Sequence, residues 1–271
     1  MKILTIGDSH GRLPFLAPKL IKKYNPDFLV CTGDLAYSDK VRKAIFGNWK
    51  KLSDEGMSLA DVIGTKKQKT IETEAAKSIN YVLKYLNSLG KKVYLIYGNN
   101  DYTKEDIKEA KIKALGIEQQ VKKYKNVRLL INAYVDLGDA NLVAVSGYRG
   151  ANKIAGKNIK NTEHYSRLSK LFKKSKNKET ILLYHDVPFN TRFDLVKNKM
   201  SPLNGKHVGS KIIRKILSKY KPILYICGHM HENPGVIRIG RTVCLNTGLV
   251  QNKDYFVINI NGSKVSVKKV K

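Results

Sequence analysis

Short apolar runs recur along the chain, and each stops at a glycine or a polar group. Lys2-Ile3-Leu4-Thr5-Ile6 halts at Gly7-Asp8, Phe28-Leu29-Val30-Cys31 at Thr32-Gly33-Asp34, and Val93-Tyr94-Leu95-Ile96-Tyr97 at Gly98-Asn99. Such runs, closed by glycine, predict buried strands. The second half repeats the habit, with the run 180–184 ending at His185-Asp186 and the run 222–227 at Gly228-His229-Met230-His231. Between the runs, apolar residues fall at helix spacing. Phe15, Leu16, Leu20 and Ile21 mark a helix over 14–24. Others are expected at 103–115 and 162–173, and Val208, Ile212, Ile213, Ile216 and Leu217 mark one more.

The region 39–90 departs from this rhythm. Val41, Ala44, Ile45, Trp49 and Leu52 predict one helix. Ala75, Ile79, Val82, Leu83, Leu86 and Leu89 predict a second that ends at Gly90, a common helix stop. The segment 53–69 between them reads equally as a mobile excursion near the site or a surface insertion. After a short strand at 127–131, the stretches 134–137 and 142–146 form a hairpin across Gly138-Asp139. The tail, at 236–239, 242–245, 255–260 and 264–267, reads as short antiparallel strands. No repeat, low-complexity block or Gly/Ser linker interrupts the chain, so a single α/β domain over 1–271 with a helical insertion at 39–90 is expected.

Composition narrows the setting. Of 271 residues, 42% are hydrophobic, which excludes global disorder. The apolar run after Met1 is too short for a signal peptide, and no stretch has transmembrane length, so no membrane partner is expected. Cys31, Cys227 and Cys244 sit inside strand-like runs. They read as buried free thiols in a reducing cytoplasm. Charge is the unusual quantity: 51 Lys and Arg against 22 Asp and Glu, a formal +29. This suits an anionic partner, whether nucleic acid, phosphorylated substrate or anionic lipid. It equally suits a lysine-rich proteome, because the lysine clusters at 66–69, 173–178 and 268–271 are loops or tail without interleaved aromatics.

The polar groups at the strand ends carry the chemistry. Asp8, His10, Asp34, Asn99, His185, His229 and His231 all follow apolar runs, and α/β folds gather ligands outside the carboxyl ends of their strands. Carboxylate with imidazole, and no thiolate, suits Mn²⁺, Fe²⁺ or Zn²⁺, with Ni²⁺ a further candidate, over Mg²⁺ or Ca²⁺. Seven ligands are too many for one ion and suit two that share a carboxylate.

Asp8-Ser9-His10, Gly33-Asp34, Gly98-Asn99-Asn100-Asp101, His185 and Gly228-His229-Met230-His231 together resemble the calcineurin-like metallophosphoesterase superfamily, over nearly the whole chain. The stretch from His207-Val208-Gly209-Ser210 to Glu232 is similar to the small, often archaeal, Icc-related predicted phosphoesterases. The resemblance implies a four-layer αββα sandwich with two mixed sheets. It also implies two divalent ions: one on Asp8, His10, Asp34 and His231, the other on Asp34, Asn99, His185 and His229, with Asp34 bridging. In-line hydrolysis of a phosphoester by a metal-bound hydroxide, without a covalent enzyme intermediate, is the expected reaction.

Asn100 departs from the pattern, which usually has a histidine that protonates the leaving oxygen. Asparagine donates a hydrogen bond but no proton. Phosphodiesters, or esters with activated leaving groups, are therefore expected as substrates. The alternatives are a phosphomonoesterase or phosphoprotein phosphatase, and a nucleic-acid-binding protein or nuclease that uses the basic surface. His207 is a candidate replacement acid or a loop contact. Arg12 and Arg149 are candidate phosphate clamps beside Asn99, or solvated arginines. Asp101 either orients a neighbouring ligand or caps the next helix, His164 reads as solvated, and Asp186 as a support behind His185.

Overall fold

The structure, a computed structural model, describes residues 1–147, 163–175, 178–199, 201 and 203–271. Strands β1 (Lys2–Ile6), β2 (Phe28–Cys31), β3 (Val93–Leu95) and β4 (Val127–Leu129) are parallel neighbours. They share one six-stranded sheet with β11 (Tyr255–Asn261) and β12 (Lys264–Val270), in the order β12-β11-β1-β2-β3-β4. The second sheet runs β5 (Asn132–Asp136), β6 (Ala140–Val145), β7 (Glu179–Tyr184), β8 (Leu224–Cys227), β10 (Thr242–Asn246), β9 (Gly235–Ile239). Its four central strands are parallel, and its two edge strands are antiparallel.

The helices lie outside the sheets. They are α1 (Ala17–Tyr24), α2 (Asp39–Gly47), α3 (Trp49–Ser53), α4 (Leu59–Ile63), α5 (Thr65–Ser88), α6 (Lys104–Ala110), α7 (Ile117–Gln120), α8 (Glu163–Lys174) and α9 (Lys211–Tyr220). Alternation along each strand builds the layers, because successive side chains point to opposite faces. Ile3, Val30, Tyr94 and Ile96 face Leu142, Ala144, Ile181, Leu224 and Leu245 across the space between the sheets. Leu4, Leu29, Cys31 and Leu95 instead face α1 and α5, through Leu20, Ile79, Leu83 and Leu86. Val143, Leu182, Tyr225 and Cys244 face α8 and α9, through Leu168, Phe172, Ile212 and Ile216. Helix, sheet, sheet, helix is the expected sandwich.

Several boundaries move. The helix expected across 41–52 is two, α2 and α3, and the undecided segment 53–69 holds α4, whose start Ser58 and Asp61 fasten by a reciprocal capping box. Helix α5 begins at Thr65 although its first buried residue is Ile71, so its opening turns carry no apolar face to read. The tail is not a single antiparallel set. Strand β10 pairs parallel with β8 in one sheet, whereas β11 and β12 extend the other.

Cys31, Cys227 and Cys244 are buried and unbridged. Burial pushes the Cys31 and Cys244 thiols up to about 12, and that of Cys227 well above its ordinary value. A thiol reacts as its thiolate. Ellman's reagent at pH 8 is therefore expected to find no thiol in the native protein and three after unfolding. Fast native labelling would contradict the packing. Among the described residues no helix is long and apolar enough to cross a membrane.

Candidate metal centre

The carboxyl ends of β1, β2, β3, β7 and β8 meet at one rim, and backbone bonds strap their loops together. Ser9 and His10 donate their N–H groups to the Asp34 carbonyl at 3.2 and 2.8 Å, and Gly11 donates to Leu35 at 2.8 Å. Buried Asp101 ties in the loop after β3: one carboxylate oxygen accepts from Leu35 N at 2.7 Å and Ala36 N at 3.1 Å, the other from Gly98 N at 2.9 Å. Asp101 therefore holds two ligand-bearing loops in register, while Thr103 caps α6. Burial and the Asp34 charge push its carboxyl up to about 7.

Four side chains form the tightest group. Asp8, His10, Asp34 and His231 each offer a donor atom, and these atoms lie within 4.8 Å of one another. His231 Nε2 is 3.0 Å from Asp8 Oδ2 and 3.3 Å from His10 Nε2, and His10 Nε2 is 3.7 Å from Asp34 Oδ2. A second group adjoins it. His185 Nε2 and His229 Nδ1 lie 3.0 and 2.8 Å from Asn99 Oδ1, and His185 Nε2 lies 3.5 Å from Asp34 Oδ1. All seven expected residues are thus brought to one place, with Asp34 touching both groups.

A family model of calcineurin-like phosphoesterases matches residues 1–233. The chain belongs to that family. It is 28% identical over 267 residues to an uncharacterized protein of Methanocaldococcus jannaschii, covering 98% of this chain and 94% of the relative. One solved chain superposes with a TM-score of 0.70 at 17% identity, covering 99% of this chain and 98% of its own. A dimetal phosphatase from Danio rerio superposes at 0.54 with 9% identity, covering 99% and 98%.

Metallophosphoesterases use divalent metal ions, and the electrostatics of this one fit a cation. Burial raises the Asp34 carboxyl, but His185, His10 and the Asn100 N–H outweigh it and hold the group far below the carboxylate range. Burial likewise opposes charge on Asp8, and the His185 and His231 imidazoles bring it down. Burial works against charge on His185 as well, yet Asp34 and Asp8 push it up to about 10. Burial and the neighbouring His185 send His229 down to about 3, so it is a neutral donor. Two buried carboxylates, Asp8 and Asp34, thus stay charged beside ring nitrogens of His10 and His231 that lie 3.3 Å apart. A cation placed among these atoms would take over the counter-charge that His185 supplies to both carboxylates.

The phosphoesterase centre is built at a cost. His10, Asp34 and His229 adopt left-handed backbone with φ of 43°, 51° and 66°, each on the order of 1 kcal/mol for a residue with a Cβ. Gly98 and Gly228 leave room where a Cβ would press into Asp34 Oδ1 and Asp8 Oδ1 respectively. Gly228→Ala is expected to weaken Mn²⁺ binding at least about tenfold, read by calorimetry, because pushing Oδ1 moves the whole Asp8 carboxylate, whose other oxygen faces His231. Unchanged affinity would show that the Asp8 carboxylate is free to move.

Around the ligands stand residues that the motif pattern did not single out. Thr32 donates its hydroxyl to Asp8 Oδ1 at 3.0 Å, and its carbonyl accepts from His185 Nδ1 at 2.8 Å, which leaves His185 Nε2 facing inward. Ser38, where the chain enters α2, lies 3.2 Å from His10 Nδ1. Thr32 adjoins Gly33-Asp34, and its place at a strand end was the available signal.

The remaining candidates are dispersed. Asn100 donates to Asp34 twice, from its backbone N–H at 2.8 Å and from its amide at 2.6 Å. His207 is held by buried Asp194 at 2.8 Å and lies edge-on to Phe189, a loop contact with no cluster residue among its partners. Asp194 is a loop anchor that the sequence hid, accepting also from Asn190, Thr191 and Gly209. Arg12 is exposed, 3.7 Å from Asp39, with its guanidinium by the Tyr37 ring. Arg149 lies outside the described residues. Asp186 is buried behind His185, accepts from its neighbour Val187 N, and is pushed up to about 7 by burial. His164 is not a solvated residue. It is half-buried, 3.4 Å from the Tyr184 hydroxyl, and lines a groove of about 710 Å³ that opens on Gly98, Asn99 and Asn100.

Proposed function

We propose that the protein hydrolyses phosphodiesters at a dinuclear divalent-metal centre, with Mn²⁺ the preferred ion. Asp8, His10, Asp34 and His231 would hold one ion, and Asp34, Asn99, His185 and His229 the other. The pair would supply Lewis acidity toward a phosphoryl oxygen and a source of hydroxide at neutral pH. The donor chemistry supports two sites, and the Danio rerio dimetal phosphatase has this fold.

The chain's own groups do the positioning. Thr32 and Ser38 fix the ring orientations of His185 and His10, and Asp101 keeps Asp34 and Asn99 at one spacing. The observation that carries the diester preference is Asn100. Its amide is spent on Asp34, and it has no proton to give to a departing oxygen. The leaving group then departs unprotonated, which favours alcohols of low pKa. A second support is charge, since carboxylates line the groove and oppose one negative charge on a diester less than two on a monoester.

With Mn²⁺, bis-p-nitrophenyl phosphate is expected to exceed p-nitrophenyl phosphate in kcat/KM by about tenfold, and EDTA to abolish both until Mn²⁺ is restored. A higher value for the monoester would overturn the diester reading.

A further inference from the structure

The family match ends at residue 233, yet the chain beyond it returns to the metal centre. Strand β10 is apolar through Val243, Cys244 and Leu245 and then ends at Asn246, which is wholly buried. A buried amide is costly unless its polar atoms find partners. Here they all do. Asn246 Nδ2 donates to the Met230 carbonyl at 2.7 Å and to the Asn233 carbonyl at 3.1 Å, while Oδ1 accepts from Gly248 N at 3.1 Å.

What those partners carry sets this amide apart from ordinary core polarity. The Met230 carbonyl stands between His229 and His231, one residue from each donor group. The Gly248 carbonyl accepts the Asp8 N–H at 3.0 Å. One side chain therefore fastens the loop after β8 to the segment that holds Asp8, and His231 Nε2 meets Asp8 Oδ2 at 3.0 Å across that junction. His229 has left-handed backbone with φ of 66° and gives its N–H to Asp8 Oδ2 at 2.7 Å. Strained backbone of this kind persists only where its surroundings hold it, and the pinned Met230 carbonyl is such a hold. Thr247 adds a hydroxyl 3.0 Å from that of Thr32, which itself donates to Asp8 Oδ1.

Asn141 supplies the contrast. It is buried near the start of β6 in the same sheet, away from the rim where the ligands gather, and its amide donates to Ser175 at 3.1 Å. That bond touches no ligand-bearing loop.

Resting on the dinuclear-metal reading above, we infer that Asn246 is a positioning residue of the metal centre. Its amide sets the separation of Asp8 and His231 and keeps His229 in its strained conformation before any ion arrives. An ion then meets a formed set of donors and has no loop to order.

The test sets Asn246→Ala against Asn141→Ala, with Asn246→Ser as the milder change where the alanine variant does not fold. Asn246→Ala is expected to weaken Mn²⁺ binding about thirtyfold by calorimetry, within the range typical of residues that orient ligands from behind. In the metal-free protein, exchange of the His229 and Met230 amides, followed by NMR, should quicken about tenfold as the loop loses its anchor. Saturating Mn²⁺ should restore most of the lost kcat, since the ligands themselves are intact. Asn141→Ala should lower the melting temperature while leaving Mn²⁺ affinity and both amides at their wild-type values. Wild-type Mn²⁺ affinity in the Asn246 variants, unchanged exchange, or an equal loss of affinity in Asn141→Ala overturns the inference. If the Asn246 variants lose affinity but the Mn²⁺-loaded wild type hydrolyses no phosphoester, the positioning role stands and the hydrolase reading falls instead.

Discussion

Asp34→Asn is expected to lower Mn²⁺-dependent phosphodiester hydrolysis by about 10³-fold and to weaken metal binding at least about 100-fold, while the fold persists. Three effects combine. The carboxylate that touches both donor groups loses its charge, His185 Nε2 loses the anionic oxygen 3.5 Å away, and one of the two Asn100 N–H donors faces an NH₂ group in place of an acceptor. Size and shape are conserved, so a loss of activity with an unchanged melting curve isolates the charge. Mn²⁺ titration by calorimetry should fall from about two ions per chain, the count a shared carboxylate implies, to fewer. Activity within tenfold of the wild type would mean that Asp34 is a structural residue and that the chemistry lies elsewhere.

Asn100→His has the second-largest expected effect, and it is a gain. The backbone N–H of residue 100 would still hold Asp34 at 2.8 Å, so the loop has no reason to move. The new imidazole would bring the proton that asparagine lacks, and general acid catalysis typically contributes on the order of 10²–10⁴-fold for a poor leaving group. Hydrolysis of alkyl phosphomonoesters should rise by about 10²-fold, with a falling limb at alkaline pH as the imidazolium deprotonates. Aryl esters, whose leaving oxygens need no proton, should change little. If alkyl esters gain nothing, the absence of an acid at this position does not limit the enzyme.

The layered fold was legible because the strands are uniformly apolar and end at glycine. For the Lys2–Ile6 and Phe28–Cys31 strands the sequence limits and the structural limits coincide. Partner choice was not legible. Nothing in the residues of β10 says that it runs parallel beside β8 while β11 crosses to pair with β1, since register depends on contacts far apart in the chain. Helix α7 was missed because its four residues, with Ile117 and Gln120 buried, are too few to establish a period. At the site, metal-type ligands have an unusual chemistry and declare themselves by type and position. Thr32, Ser38 and Asp194 act through ordinary hydrogen bonds, which any threonine, serine or aspartate could make. The acidic groove escaped notice because its carboxylates come from α5, α6, α7 and α8, a grouping that only the fold creates.

The position of β11 bears on how this protein is made. It pairs with β1 residue for residue, from Lys2 with Asn259 to Ile6 with Tyr255. Just before it, Gly248 accepts the Asp8 N–H at 3.0 Å, and Val250 donates to the Asp8 carbonyl at 3.1 Å. Asp8 therefore waits for residues 248–250 to be made before its own backbone is held. Contacts at such sequence separation form late and slowly. A nascent chain stalled short of residue 250 should take up little Mn²⁺ at this centre, so metal loading would follow synthesis of that segment.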